Sequence, residues 1–592
     1  MNLSSTIKSI QDIMRKDDGV DGDAQRLGQL TWMLFLKVFD QREEEWEDDN
    51  QQYQSPLPER YRWRNWAAYI VDADGKKKPQ IAASDLVPFV NNELFPALKE
   101  QIDASQSPQH KVLKQVFEDA NNFMKSGPQM LAVIEKLEDA INFHDFKTRA
   151  NLGDVYEQML NDLRGAGNAG EFYTPRAITA FMADRVNPRL DKRESVMDPA
   201  CGTGGFLTAA IDHFRHQLSI KSSAEDKRAI EDLIHGIEKK QLPHLLCTTN
   251  MLLHGIDVPS QIEHKNTLAI GWNEWSANDK VDCIITNPPF GGYEDDGVGS
   301  DYPADLRTRE TADMFMALII KKLLKENGRA AVVLPDGFLF GDGIKGTLKK
   351  LLLRDCKLHT IIRLPKGVFA PYTTIKTNLL FFTKGSTVDD GTEHFHTDTI
   401  WFYEHPYPAG YKSYSKTKPI RLEEFKPEQE WWGNESNDFA DRVENEFAWK
   451  VDFKTKREQA EAAAQPHWQR AEDLNNQAAA LEGKARDLRN SLVGSTNAVY
   501  REKIDAQIAE LRAQAEPLRL QARDAQAAGD RLYWPIFNLD LKNPNAPEEE
   551  THDPDLLLKK YKKLLGEIEE TENQLKSELA AALAHHFVDE DA

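Results

Sequence analysis

Ser195-Val196-Met197-Asp198-Pro199-Ala200-Cys201-Gly202-Thr203-Gly204-Gly205-Phe206-Leu207 carries a short apolar run into an acidic residue, a glycine-rich turn and the start of an apolar helix. Glycines at such a turn let the chain reverse tightly and let its backbone approach a ligand. Dinucleotide-binding folds use a similar turn, so the glycines alone do not choose the ligand. Two further features do. The spacing is Gly-Thr-Gly-Gly rather than GxGxxG, and Asp198 stands at the strand end. A carboxylate there repels phosphate and attracts a cation.

S-adenosylmethionine, with its sulfonium and amino groups, meets that electrostatic demand. Glu238 closes the next strand-like run, in HGIEKK, where a carboxylate can accept hydrogen bonds from both ribose hydroxyls of an adenosyl group. Its separation from Asp198 exceeds the about 20 residues of a compact βαβ unit. The polar stretch KSSAEDKRAIEDL accounts for the excess as an inserted helix.

VDCIITNPPFGG then places Asn287-Pro288-Pro289-Phe290 at the C-terminal end of a buried strand, where open α/β sheets bind ligands. Two successive prolines remove two backbone donors and stiffen the loop. Asn287 offers an amide oxygen, and together with the Pro288 carbonyl it can hold both hydrogens of an exocyclic amino group. Those bonds draw the nitrogen lone pair out of ring conjugation and aim it at an electrophilic methyl. Phe290 supplies a stacking face for a base taken out of a duplex. No general base is required, because the methylated nitrogen loses its proton to solvent after transfer.

Around these motifs, LIHGIEKK, RAAVVLPDGF, HTIIRLPKG and NLLFFTKG are further strand-like runs, with amphipathic stretches such as LPHLLCTTNMLLHG and IKGTLKKLLLRDC between them. The alternation predicts an α/β domain over 166–430, with a mostly parallel sheet covered on both faces. Residues 1–165 read as a helical N-terminal domain, from TWMLFLKVFD and from the helical spacing of FKTRANLGDVYEQMLNDL, and AGNAGEFYTP marks the boundary loop. Residues 431–592 read as a helical C-terminal region. Leu474, Ala478, Leu481, Ala485, Leu488 and Leu492, then Ile504, Ile508, Leu511, Ala515, Leu518 and Ala522, predict an antiparallel coiled-coil hairpin over about 465–525. A terminal helix is expected over about 553–588. Scaffold packing and docking onto another subunit are both open for the hairpin.

A length of 592 residues calls for several domains, and 40% hydrophobic residues suit globular cores. A net charge of −22 excludes a uniformly basic surface, so any grip on nucleic acid needs a local basic face or a partner. No apolar run approaches the about 20 residues of a membrane helix. The start lacks a secretory signal, which predicts a cytoplasmic protein with no membrane partner. Cys201, Cys247, Cys283 and Cys356 form no CxxC pair, so neither a metal site nor a disulfide framework is expected. His235 and His254 read as strand and helix ends rather than bases. GDGIKG at 341–346 lacks the Lys-Ser/Thr of a phosphate loop.

DPACGTGGFL followed by NPPFGG resembles the amino-methyltransferases of DNA in which the cofactor loop comes first. GEFYTPR, upstream of the first strand, is similar to their additional cofactor segment. LGDVYE, NMLLHGID, IIRLPKGVF, TNLLFF and LYWPIFNLDLKNPN extend the resemblance over nearly the whole chain to one family, the modification (methylase) subunits of type I restriction–modification systems. The resemblance implies a Rossmann-like domain with a seven-stranded sheet, methylating the N6 of adenine in duplex DNA from S-adenosylmethionine without a metal. It implies that Glu171, Phe172, Tyr173, Thr174, Pro175, Arg176, Gly202, Thr203, Gly204, Gly205 and Glu238 contact the cofactor beside Asp198. Asn287, Pro288, Pro289 and Phe290 would hold the flipped adenine. Family members work with a DNA specificity subunit, typically two modification subunits to one, and a restriction subunit joins them. A protein-glutamine methyltransferase uses a similar Asn-Pro-Pro-aromatic loop and is the enzymatic alternative. An assembly or DNA-binding subunit idle on its own is the other.

Overall fold

The computed structural model describes residues 3–141, 153, 156, 160, 173–370, 372–386, 393–415, 417–493, 497–546 and 554–586. Most of the stretch FKTRANLGDVYEQMLNDL therefore lies outside the described residues, as do Glu171 and Phe172. The chain divides into two units, Met1–Lys542 and Asn543–Ala592. The N-terminal part of the first is helical, organised around α1 (Gly22–Asp49). TWMLFLKVFD forms the middle of α1, and every residue from Leu27 to Asp40 is buried, so this helix is a core rather than a surface element.

The sheet has strands β1 (Val196–Asp198), β2 (Ile234–Glu238), β3 (Ile262–His264), β4 (Val281–Thr286), β5 (Leu324–Pro335), β6 (Cys356–Arg363), β7 (Thr377–Lys384), β8 (Thr399–Glu404) and β9 (Ala448–Asp452). Their spatial order is β9-β8-β6-β7-β5-β4-β1-β2-β3. Strands β3, β2, β1, β4 and β5 are mutually parallel, β7 runs antiparallel between β5 and β6, and β8 pairs parallel with β6. The expected seven strands are present and two more extend the edge, so the sheet has nine. β9 was not legible because a long irregular segment separates it from β8, and five residues with buried Ala448, Trp449 and Val451 give little pattern.

Two-residue alternation sorts the strands between two cores. Val196, Cys283, Ile285, Ala331 and Val333 face α2 (Arg176–Val186) and α3 (Gly205–Gln217). Met197, Ile284, Ala330 and Val332 belong to the other core with α5 (Thr311–Leu318) and α6 (Ile344–Asp355). Chain order reverses direction between β1 and β4, which opens a crevice at their C-terminal ends.

Between α3 and α5, α4 (Gln241–Leu253) is buried on all sides. Its Cys247 and Met251 join the sheet core, whereas Leu245, Leu246, Leu252 and Leu253 join the N-terminal helical core. Gly28 of α1 lets the two helices meet closely, since a Cβ there would lie 3.3 Å from Leu242 Cδ1.

The hairpin consists of α7 (Phe453–Ser491) and α8 (Ala498–Tyr533). Its seam is alanine: Ala464, Ala471, Ala478 and Ala485 are buried at every seventh position against Ile508, Ala515, Ala522 and Gly529. Leu474, Leu481 and Leu488 sit half-buried beside that seam. Its base is anchored, because Ala464, Tyr533 and Phe537 enter the second sheet core. The second unit holds α9 (Pro554–His586), which exposes Tyr561, Leu565, Ile568, Leu575 and Leu579. Among the described residues no helix is long and apolar enough to cross a membrane.

Candidate active site

Asp198 ends β1 and is 1% exposed. Its Oδ1 accepts from Ala200 N at 3.1 Å and from Thr286 Oγ1, at the end of β4, at 2.7 Å. Its Oδ2 is buried without a partner. Burial pushes this carboxyl up to about 7, against the opposing pull of the Thr286 and Ala200 hydrogen bonds. A buried acceptor in that condition favours a cation delivered beside it.

The glycine turn follows. Cys201 N donates to Ile237 O at 3.0 Å, and Gly202 N donates to Glu238 Oε2 at 2.9 Å. The other Glu238 oxygen accepts from Lys240 N at 2.7 Å. The Lys239 N–H also donates to this carboxylate, so Glu238 braces the turn through three backbone donors and keeps acceptor capacity for a hydroxyl. Burial raises its carboxyl above the ordinary range. Asn250 Nδ2 of α4 donates to Thr203 O at 3.1 Å and pins the turn from behind.

Gly204 has φ +82, and a Cβ there would lie 2.8 Å from Cys247 Sγ and 3.0 Å from Met251 Cε. Left-handed strain and overpacking therefore act together in Gly204→Ala, which is expected to destabilise the protein by about 3 kcal/mol. Urea denaturation checks this, and an unchanged midpoint contradicts the packing described. All four cysteines are free and buried, although Cys201 and Cys247 converge behind this turn with their sulfurs 3.7 Å apart.

Beyond β4, Asn287 Nδ2 donates to Thr174 Oγ1 at 3.1 Å, which leaves Asn287 Oδ1 buried and unpartnered. Thr311 Oγ1 donates to the carbonyls of Pro289, at 3.0 Å, and Gly292, at 3.2 Å, and so fixes the loop. Pro288 is buried, Pro289 exposed and Phe290 half-buried. These residues border a cavity of about 280 Å³, shared with Tyr173, Thr174, Asp198, Gly202, Thr203, Gly205, Glu238, Phe369 and Tyr372.

The cavity lining does not include Pro175, Arg176 or Gly204. Pro175 caps α2. Arg176 turns its guanidinium to Gly205 O at 2.7 Å and Thr208 Oγ1 at 2.6 Å, clamping the start of α3, and burial lowers it to about 10. Sequence reading gave no role to Thr286 or Thr311, because a lone threonine carries no motif. The segment IIRLPKGVF, whose apolar residues carry no site signal of their own, brings Phe369 to the cavity. Among the described residues no group of three or more His, Cys, Asp or Glu stands placed to hold a metal ion.

The profile of the N-6 DNA Methylase family matches residues 147–476, and that of the HsdM N-terminal domain matches residues 3–142. The type I restriction enzyme EcoEI methylase subunit of Escherichia coli is 49% identical over 585 residues, 99% of either chain. The EcoKI methylase subunit of Escherichia coli strain K12 is 28% identical over 438 residues, 72% of this chain and 75% of its own. A solved structure described as a modification subunit of a type I restriction enzyme from Vibrio vulnificus YJ016 gives a TM-score of 0.62 at 38% identity, covering 77% of this chain and 92% of that one. Another, solved for complex assembly and conformational transition of the type I R-M system, gives 0.67 at 28% identity over 97% and 98%. A family profile over more than half the chain and a relative at 49% identity along almost all of it place the protein: it belongs to the N-6 adenine-specific DNA methyltransferases, as a methylase subunit of the type I restriction–modification kind.

Proposed function

We propose that the crevice between β1 and β4 binds S-adenosylmethionine and an adenine extruded from duplex DNA, with Asn287 and the Pro288 carbonyl holding the exocyclic N6. The observation that carries this reading is the pair of buried, unpartnered oxygens, Asp198 Oδ2 and Asn287 Oδ1, on one cavity. They fit the two ligands differently. Asp198 meets the positive charge of the cofactor, and Asn287 Oδ1 accepts from an amino group. When bound, S-adenosylmethionine supplies an electrophilic methyl group.

Glu238 receives ribose hydroxyls while the backbone N–H groups of Gly202, Lys239 and Lys240 hold it against the turn. Tyr173, Thr174, Thr203 and Gly205 complete the cofactor wall, with Arg176 holding the turn from behind. Thr174 fixes the Asn287 amide so that its oxygen faces the cavity. Prolines 288 and 289 keep the loop rigid, which supplies orientation rather than acid–base chemistry. Phe290 offers a ring face to the base. Residues 166–430 carry the chemistry, residues 1–165 anchor it, and residues 431–592 serve assembly.

The acidic chain relies on a DNA specificity subunit for sequence choice, two copies of this chain serving one such subunit, with a restriction subunit joining in the cytoplasm. Incorporation of labelled methyl into DNA and into protein, measured with the specificity subunit present, tests the reading. Label is expected in N6-methyladenine. Label confined to protein glutamine, or none at all, overturns it.

A further inference from the structure

Tyr293 is 73% exposed, an unusual state for a tyrosine lining the same cavity as Asn287 and Phe290. Its backbone is not loose. Thr311 N donates to Gly292 O at 3.0 Å, Glu294 N donates to Arg309 O at 3.0 Å, and Tyr293 itself bridges to Glu310. The following Glu294 is buried, and its carboxylate accepts from Lys239 Nζ at 2.8 Å and Asn266 Nδ2 at 3.0 Å. Arg309 holds the Glu294 carbonyl through Nε at 3.1 Å and Nη2 at 3.0 Å. A clamped backbone thus presents a ring that, among the described residues, has no hydrogen-bond or ring partner in the protein. A tyrosine side chain has only two torsions to fix, so ordering it on a ligand costs little.

Extruding a base leaves a gap about 3.4 Å thick in the stack and an unpaired base on the opposite strand. Flat or apolar side chains at the mouth of a flipping pocket lower the free energy of that gap by stacking in it. Asp295, exposed two residues beyond the tyrosine, repels phosphate, while Asp296 is held in an ion pair with Arg309 Nη1 at 2.7 Å, so the ring's partner is a base face rather than the sugar–phosphate backbone. Stacking of this kind tolerates any sequence, in keeping with a chain that leaves sequence choice to a partner.

We propose that Tyr293 stacks on the duplex base left unpaired when the target adenine turns out, and so holds the flipped state open. The proposal rests on the reading of the cavity as a pocket for extruded adenine. The test uses the complex with the specificity subunit, on a duplex carrying its recognition site with 2-aminopurine or adenine at the target position. Wild-type protein is expected to raise 2-aminopurine fluorescence on binding. Tyr293→Ala should lower that rise and reduce kcat/KM on paired DNA by about ten- to a hundredfold, with cofactor affinity unchanged. Tyr293→Phe and Tyr293→Trp, which keep a ring, should stay within about threefold of wild type. An abasic position opposite the target, where extrusion breaks no pair, should restore most of the Tyr293→Ala rate. A Tyr293→Ala protein equal to wild type on paired DNA, or one not relieved by the abasic partner, overturns the role of Tyr293. No fluorescence rise and no methylation with wild type overturns the pocket reading beneath it.

Discussion

Replacing Asn287 by alanine is expected to lower the methylation rate by about 10³-fold, with S-adenosylmethionine binding nearly unchanged. Asn287 Oδ1 is buried and without a partner, so in the resting protein it does no structural work. Its interaction strengthens as the amino nitrogen leaves conjugation and its hydrogens become more acidic. An interaction made chiefly in the transition state shows in kcat rather than in KM. Thr174→Val removes only the hydroxyl that receives Asn287 Nδ2 at 3.1 Å. It should therefore cost about tenfold, through a less fixed amide. Single-turnover methylation with saturating cofactor separates these values from binding. If Asn287→Ala methylates at the wild-type rate with all partners present, the amide is not the acceptor and the site assignment fails.

The second large effect is expected at Asp198, with opposite signs for binding and for folding. Burial holds its carboxyl up at about 7 in the folded chain against an ordinary value of 3.8. The folded state therefore binds this proton more tightly than the unfolded state does. Without cofactor, this group's contribution to stability rises as pH falls from about 7 towards 3.8. Above pH 7 the buried carboxylate costs up to about 4 kcal/mol. Asp198→Asn removes that charge at nearly constant shape, so its apo form should be more stable than wild type at pH 8 and lose the advantage near pH 4.

Cofactor binding runs the other way. Loss of a charge-assisted partner should weaken S-adenosylmethionine by roughly a hundredfold. Wild-type affinity should rise with pH through about 7, and calorimetry at pH 6 should show close to one proton released on binding, because the ligand needs the carboxylate. No proton release, together with an Asp198→Asn apo form less stable at pH 8, contradicts the buried-charge account.

The chemistry of this site was legible because it is concentrated at strand ends. Asp198, the glycine turn, Glu238 and Asn287-Pro288-Pro289-Phe290 each sit where one short segment fixes the backbone, and all of them border one cavity. What escaped was relational. Thr286 and Thr311, and the contact of Thr174 with Asn287, act across separations that no local pattern encodes. Arg176 shared a motif with cofactor residues, yet its long side chain reaches the carbonyl of Gly205. The strands with continuous apolar runs, such as Val281–Thr286 and Leu324–Pro335, were readable, whereas Ile262–His264, Thr399–Glu404 and the edge strand Ala448–Asp452 are too short or too isolated to announce themselves. In the hairpin, the heptads gave the two helices with leucine and alanine sharing the seam. Alanine at every seventh position lets the backbones close further and leaves the leucines at the margin.

The helix α4 is shared by two hydrophobic cores, and that restricts how such a protein can be cut or recombined. Its Leu245, Leu246, Leu252 and Leu253 are covered only while the N-terminal helices are present. A fragment starting at the glycine-rich strand would display a leucine ridge on the very helix that braces Thr203, and would be prone to self-associate. Exchange of N-terminal segments between related chains would succeed only where α1 and α4 travel together as a matched pair. The methyl-transfer module and its helical neighbour are therefore one inheritable piece, whatever partners the rest of the chain acquires.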